Sequence, residues 1–177
     1  THEVYAKVAK SSQKVIENAI TNAYETFKEV KLSATDRYDI LMRATQLFEE
    51  RKEEIARVIC SEAGKTITDA RAEVERGIQT FIASAEEAKR LSGQGLPIQG
   101  QPGNEAKMAF SIRVPVGVIC AITPFNFPFN LTAHKIGPAI AAGNTVVLKP
   151  AEKTPVSAIK MAEVLLEAGL PKGFLNV

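Results

Sequence analysis

Gly117-Val118-Ile119-Cys120-Ala121-Ile122-Thr123-Pro124-Phe125-Asn126-Phe127-Pro128 opens with a continuous apolar run, Gly117 to Ile122, and ends in an aromatic segment held between two prolines. Apolar residues in succession, closed by turn formers, predict a strand buried on both faces, which is the habit of parallel sheets. From Pro128 a helical pattern runs to about Ala142, and Gly143-Asn144 turns the chain. Thr145-Val146-Val147-Leu148 predicts a second buried strand, a helix follows from about Pro155 to Ala168, and Phe174-Leu175-Asn176-Val177 opens a third strand. Strand, helix, strand, helix, strand makes a doubly wound parallel sheet with right-handed crossovers the expected architecture. A sheet stopping there leaves an open apolar edge, so the reading expects a fragment of a longer protein.

Upstream the period changes. Val15, Ile16, Ala19, Ile20, Ala23 and Phe27 recur at helical spacing, as do Ile40, Leu41, Ala44, Leu47, Phe48, Ile55, Val58 and Ile59, and then Ile67, Ala70, Val74, Ile78, Phe81, Ile82 and Ala85. Three amphipathic helices are predicted. Ser33-Ala34-Thr35-Asp36 is a near capping box and starts the second, while Ala63-Gly64 separates it from the third. Gly93 to Gly103, rich in glycine and proline, is a connector. Met108 to Val114 mixes apolar and polar residues as an exposed strand does.

Composition limits the class. The 177 residues are 45% hydrophobic and 24% charged, with a formal charge of +2, which fits an ordinary globular protein with a substantial core and offers no electrostatic case for a nucleic-acid or membrane-surface partner. Up to residue 104 there are 15 basic and 16 acidic residues; from Glu105 onward there are 7 and 4. The N-terminal Thr1-His2-Glu3-Val4-Tyr5 lacks a signal pattern, and no apolar run approaches the roughly 18 residues of a membrane span. A cytoplasmic location is expected. Two cysteines and two histidines give neither a zinc spacing nor a disulfide framework, so no metal is expected.

In open parallel sheets ligands sit beyond the carboxyl ends of the strands, so chemistry is sought just after Ile122 and Leu148. After the first strand, Asn126 is an uncharged amide donor, suited to stabilising an oxyanion where a carboxylate would repel it. The plainer alternative is that Asn126 caps the helix opening near Pro128. After the second strand comes Lys149-Pro150-Ala151-Glu152-Lys153-Thr154-Pro155. An acid here can accept hydrogen bonds from an adenosine ribose and repel a 2′-phosphate, and Lys149 can donate to the same ribose. The alternative is a solvated loop. Neither GxGxxG nor GxxxxGK[ST] occurs, so the usual pyrophosphate cradle is missing.

Cys120, placed inside the predicted buried strand, and Cys60, on an apolar helix face, read as core residues rather than nucleophiles. His134 lacks a paired acid or a second ligand, and Lys135 reads as a surface cation.

The ordered motifs Val114-Pro115-Val116-Gly117-Val118-Ile119, Thr123-Pro124-Phe125-Asn126-Phe127-Pro128, Gly137-Pro138-Ala139-Ile140-Ala141-Ala142-Gly143-Asn144, Val147-Leu148-Lys149-Pro150-Ala151-Glu152-Lys153-Thr154-Pro155 and Ala168-Gly169-Leu170-Pro171 together resemble the aldehyde dehydrogenase superfamily. Glu62-Ala63-Gly64-Lys65 and Asp69-Ala70-Arg71-Ala72-Glu73-Val74 extend the resemblance over essentially the whole chain, which amounts to well under half of a family member.

The resemblance implies an α/β fold of N-terminal helices plus the first βαβαβ unit of a Rossmann-like sheet. Residues 1–104 would be a helical segment packing on the cofactor domain, 105–115 a bridging and oligomerisation strand, and 116–177 the first part of the NAD-binding domain, with the catalytic domain outside the chain. Asn126 matches the family's oxyanion-hole asparagine, and Lys149 and Glu152 match the residues that hold the adenosine ribose. Ile122, Thr123, Pro124 and Phe125, with Pro150 and Ala151, match cofactor-contacting positions. Lys135 matches a lysine assigned to proton transfer. The implied activity is oxidation of a small-molecule aldehyde to an acid through a cysteine thiohemiacetal and thioester, with NAD preferred over NADP and a homodimer or homotetramer as the assembly. The nucleophile and the glutamate base would lie beyond Val177, leaving the 177 residues alone inactive. Two alternatives remain at this point: a CoA-acylating semialdehyde dehydrogenase, and a non-catalytic nucleotide-binding or interaction module.

Overall fold

A computed structural model describes residues 3–177; Thr1 and His2, part of the N-terminal stretch read above, lie outside the described residues. In chain order the elements are α1 (Gln13–Glu29), α2 (Ala34–Glu50), α3 (Lys52–Ala63), α4 (Ile67–Ala88), β1 (Gly95–Leu96), β2 (Ala109–Phe110), β3 (Val118–Ile122), α5 (Asn130–Ala141), β4 (Thr145–Lys149), α6 (Val156–Glu167) and β5 (Leu175–Asn176).

The local signals work as read at two helix ends. The Ser33 hydroxyl accepts the Asp36 N–H while the Asp36 carboxylate accepts the Ser33 N–H, so α2 opens on a complete capping box. Gly64 takes the left-handed conformation at φ 68° that ends α3. The predicted second helix is in fact two, because Arg51 leaves helical geometry between α2 and α3. Phe48 and Ile55 are both buried and lie about two turns apart, so the apolar stripe runs on across the break and periodicity does not reveal it. The Arg51 guanidinium turns to Glu167 of α6 instead.

Strands β3, β4 and β5 form a parallel sheet in that order, joined by α5 and α6, which is the expected α/β, Rossmann-like arrangement. Ala121, Val146, Leu148 and Leu175 face one continuous core shared with α2 to α6. At its centre Phe48, Phe81 and Phe129 are fully buried, with ring centroids 5.1 Å and 5.3 Å apart, the second pair edge to face. Such pairs contribute about 0.5–1.5 kcal/mol each beyond their burial. Gly77 of α4 lets α5 approach, since a Cβ there would sit 2.6 Å from the Phe129 ring.

Strand β3 corrects the sequence reading. Only Ala121 of β3 is buried, Cys120 is exposed and Ile122 is 62% exposed. The strand is an edge of the sheet, and α1 lies against the face opposite the core, where Thr145 donates to the Ala23 carbonyl and Asn22 donates to Asn176. An apolar run records what a strand tolerates, not what covers it.

Two further departures concern the middle of the chain. The connector holds a short strand, β1, antiparallel to β2, and of the expected exposed strand only Ala109 and Phe110 are paired. Among the described residues no helix is long and apolar enough to cross a membrane.

Candidate functional site

The parallel register pairs Ile122 with Lys149, so the loops leaving β3 and β4 start side by side. The Thr123 N–H donates to the Lys149 carbonyl at 3.2 Å, extending the ladder one step into the loops. Farther out, Lys153 lies 5.2 Å from the centre of the Phe125 ring, so the tips of the two loops also meet. The sequence-predicted residues thus share one rim at the carboxyl end of the sheet, the position from which open α/β sheets bind ligands.

The residues on that rim divide into two groups. Ile122, Pro124, Phe125, Asn126, Lys149 and Glu152 are exposed; Thr123 and Ala151 are buried and Pro150 is half-buried. The exposed set can touch a ligand with side chains. Thr123 and Ala151 instead seat the loop backbones.

The Asn126 side chain makes no hydrogen bond among the described residues, and the N-cap position of α5 is Phe129, without a side-chain cap. Asn126 therefore does not cap the helix, and its amide is free to donate outward. Lys149 donates to Glu152 at 2.5 Å, and this contact holds the Glu152 carboxyl below the usual carboxylate range. The pair presents an acceptor and a donor together, as a ribose diol requires.

Sequence reasoning missed what organises the rim from behind. Glu73 of α4, with no exposed surface, accepts the backbone N–H of Phe129 at 2.9 Å and of Asn130 at 3.2 Å. Its other oxygen accepts from Lys65 at 2.5 Å. Lys65 in turn lies 3.8 Å from the centre of the Phe127 ring, with the Arg76 guanidinium 4.9 Å from the same ring. At the next crossover, Glu62 of α3 accepts the N–H groups of Val156 at 2.7 Å and Ser157 at 3.1 Å. Burial pushes the Glu62 carboxyl above its ordinary value, against the pull of those amides. One signal was available in the sequence: Glu73 falls inside the apolar stripe of Ala70, Val74, Gly77, Ile78 and Phe81, where a carboxylate needs a partner.

His134 and Lys135 are exposed on α5, His134 lying 3.5 Å from the Thr80 hydroxyl. Cys60 packs against the core. Cys120 is exposed, contrary to its reading as a buried core thiol, but no basic side chain hydrogen-bonds its sulfur among the described residues. No group of three or more His, Cys, Asp or Glu residues that could hold a metal ion occurs among them either.

An exposed amide, Asn126, and a paired carboxylate and ammonium, Glu152 and Lys149, thus stand on one rim of a layered α/β unit. Comparison with known proteins gives it a family: residues 1–177 match the aldehyde dehydrogenase family model, and the chain belongs to that family. It is 49% identical over its whole length to the 3-sulfolactaldehyde dehydrogenase of Priestia aryabhattai, of which it spans 37%. Among solved structures, aldehyde dehydrogenase 21 from Physcomitrella patens in complex with the reaction product succinate superposes with a TM-score of 0.93 at 38% identity, over 98% of this chain and 36% of that one. The glyceraldehyde-3-phosphate dehydrogenase of Methanocaldococcus jannaschii complexed with NADP gives 0.90 at 39% identity, over 98% and 38%. The chain therefore spans little more than a third of the relatives it matches.

Proposed function

We propose that this chain is the N-terminal, cofactor-binding part of an NAD-dependent aldehyde dehydrogenase, and that its substrate is a small aldehyde bearing an anionic group. The observation that carries this reading is the free amide of Asn126 beside the loop of Lys149 and Glu152. Sulfolactaldehyde and succinate, named in two of the relatives, support the anionic class.

The residues present fit the adenosine end of a dinucleotide. Glu152 accepts from the ribose hydroxyls and Lys149 donates to them, while Ile122 and Phe125 give the adjoining rim apolar surface. A dinucleotide held there would supply the hydride acceptor that oxidation of an aldehyde needs. Asn126 donates its amide N–H to the substrate oxygen as negative charge collects there, and being neutral it costs nothing in repulsion. Glu152 places a negative charge where NADP carries its 2′-phosphate, which favours NAD. The nucleophilic cysteine and the glutamate base lie outside these residues in this reading, so the 177-residue chain alone is inactive.

Assembly as a dimer or tetramer is supported by Met108, Phe110, Ile112, Val114 and Val116, alternate residues that are each more than two-thirds exposed. Phe110→Lys should lower the mass seen by light scattering; an unchanged mass counts against this surface.

The test is cofactor reduction by the enzyme that carries this chain, assayed with 3-sulfolactaldehyde and with succinate semialdehyde, and by the 177 residues alone. Reduction by the longer enzyme with at least one of these and none by the chain is expected. Failure with both substrates overturns the substrate class, and turnover by the chain alone overturns the assignment of the nucleophile elsewhere.

A further inference from the structure

The first turn of a helix leaves backbone N–H groups unpaired and carries partial positive charge, which makes it a ready anion site. In parallel sheets the crossover helices point these ends at the ligand crevice. In this chain both such ends are occupied from within. Neither α5 nor α6 receives a side-chain cap from its own N-cap residue, Phe129 or Pro155. The caps come instead from carboxylates 56 and 94 residues away in sequence, Glu73 on Phe129 and Asn130, and Glu62 on Val156 and Ser157.

The two clamps sit behind the two functional loops. Asn126 lies between two fixed points: Thr123, hydrogen-bonded to the Lys149 carbonyl, and Phe129, held by Glu73. Lys65 ties the same carboxylate to the ring of Phe127, the immediate neighbour of Asn126. Glu62 fixes the chain just after Thr154 and Pro155, where the loop of Lys149 and Glu152 ends. A preorganised donor stabilises developing charge because it does not reorganise during the reaction, and a misplacement of about 1 Å costs on the order of 10²-fold in rate.

We propose that Glu73 and Glu62 are positioning residues with divided tasks: Glu73, anchored by Lys65, aims the Asn126 amide at the substrate oxygen, and Glu62 holds the Lys149 and Glu152 loop in its ribose-binding shape. By occupying both helix ends they also withdraw α5 and α6 from phosphate binding, so the pyrophosphate is held by other parts of the enzyme. This rests on the dehydrogenase reading above.

The experiment compares Glu73→Gln with Glu62→Gln in the enzyme that carries this chain, with melting temperatures measured alongside. Glu73→Gln should lower kcat at least tenfold with KM for the dinucleotide changed less than twofold. Glu62→Gln should raise that KM at least fivefold with kcat changed less than twofold. A purely structural role predicts the same kinetic profile for both variants at matched loss of melting temperature, and that result overturns the proposal. Amide hydrogen exchange on the unmodified enzyme provides a readout that needs neither variant to fold. Phe129, Asn130, Val156 and Ser157 should be protected as strongly as the interiors of α5 and α6, and exchange at loop rates overturns the clamps. If the unmodified enzyme oxidises no aldehyde, the dehydrogenase reading fails while the exchange result still decides the clamps. If Asn126→Ala lowers kcat and Glu73→Gln does not, the positioning role of Glu73 fails by itself.

Discussion

Lys149 and Glu152 hold each other at 2.5 Å on the open rim of the sheet, so the two residues proposed for the ribose are partners before any ligand arrives. Exposed ion pairs of this kind are weak, and a diol that offers both a donor and an acceptor can replace the contact at little cost. Glu152→Gln removes the charge that repels a 2′-phosphate while keeping an acceptor. KM for NADP should fall toward that for NAD, and Lys149→Met should raise KM for both. Steady-state kinetics with each cofactor checks this; equal KM values in the unmodified enzyme would remove Glu152 from its role.

Asn126→Ala deletes an oxyanion donor and leaves the ribose loop alone. The expected loss in kcat is about 10²- to 10³-fold, with KM for the dinucleotide unchanged within about twofold. Asn126→Asp should lose at least as much, since a carboxylate opposes the developing charge. A kcat within about threefold of the parent in the alanine variant would return Asn126 to a passive place in the loop.

Phe48 is where the helical layer meets the crossover helices, packed on Phe81 of α4 and on Phe129 at the start of α5. Phe48→Ala should cost about 3–5 kcal/mol of stability through lost burial and an unfilled cavity. Urea unfolding should show a lower midpoint at an unchanged slope. A loss below about 1 kcal/mol would mean that the three rings do not form the centre of the core.

Asp36 completes the capping box of α2, and its hydrogen bonds with Ser33 hold its carboxyl below the usual range. A group whose folded value is depressed adds stability above its unfolded value and loses it as the pH falls through the folded value. Asp36→Asn should therefore lower the melting temperature at neutral pH, and the gap to the parent should close as the pH drops below about 4. A gap independent of pH would detach the stabilisation from the charge.

Much of this was legible locally. The change from helical to apolar-run periodicity placed the switch from helices to parallel sheet, the capping box began α2 at the right residue, and Gly64 ended α3. That the two candidate loops share one rim was legible because both follow the carboxyl ends of neighbouring parallel strands. These features depend on backbone torsion and on partners a few residues away, which the order of residues specifies directly.

What the order of residues left open was set by parts of the chain that meet only on folding. Periodicity says that one side of an element is apolar, not what covers it, so β3 read as buried although it is an exposed edge and Cys120 read as core although it faces outward. Arg51, at the break between α2 and α3, meets Glu167, 116 residues on. Glu73 and Glu62 looked like a misplaced and an ordinary helix acid until packing brought α4 and α3 against the ends of α5 and α6. A buried carboxylate needs its partners in three dimensions, and only tertiary packing supplies them.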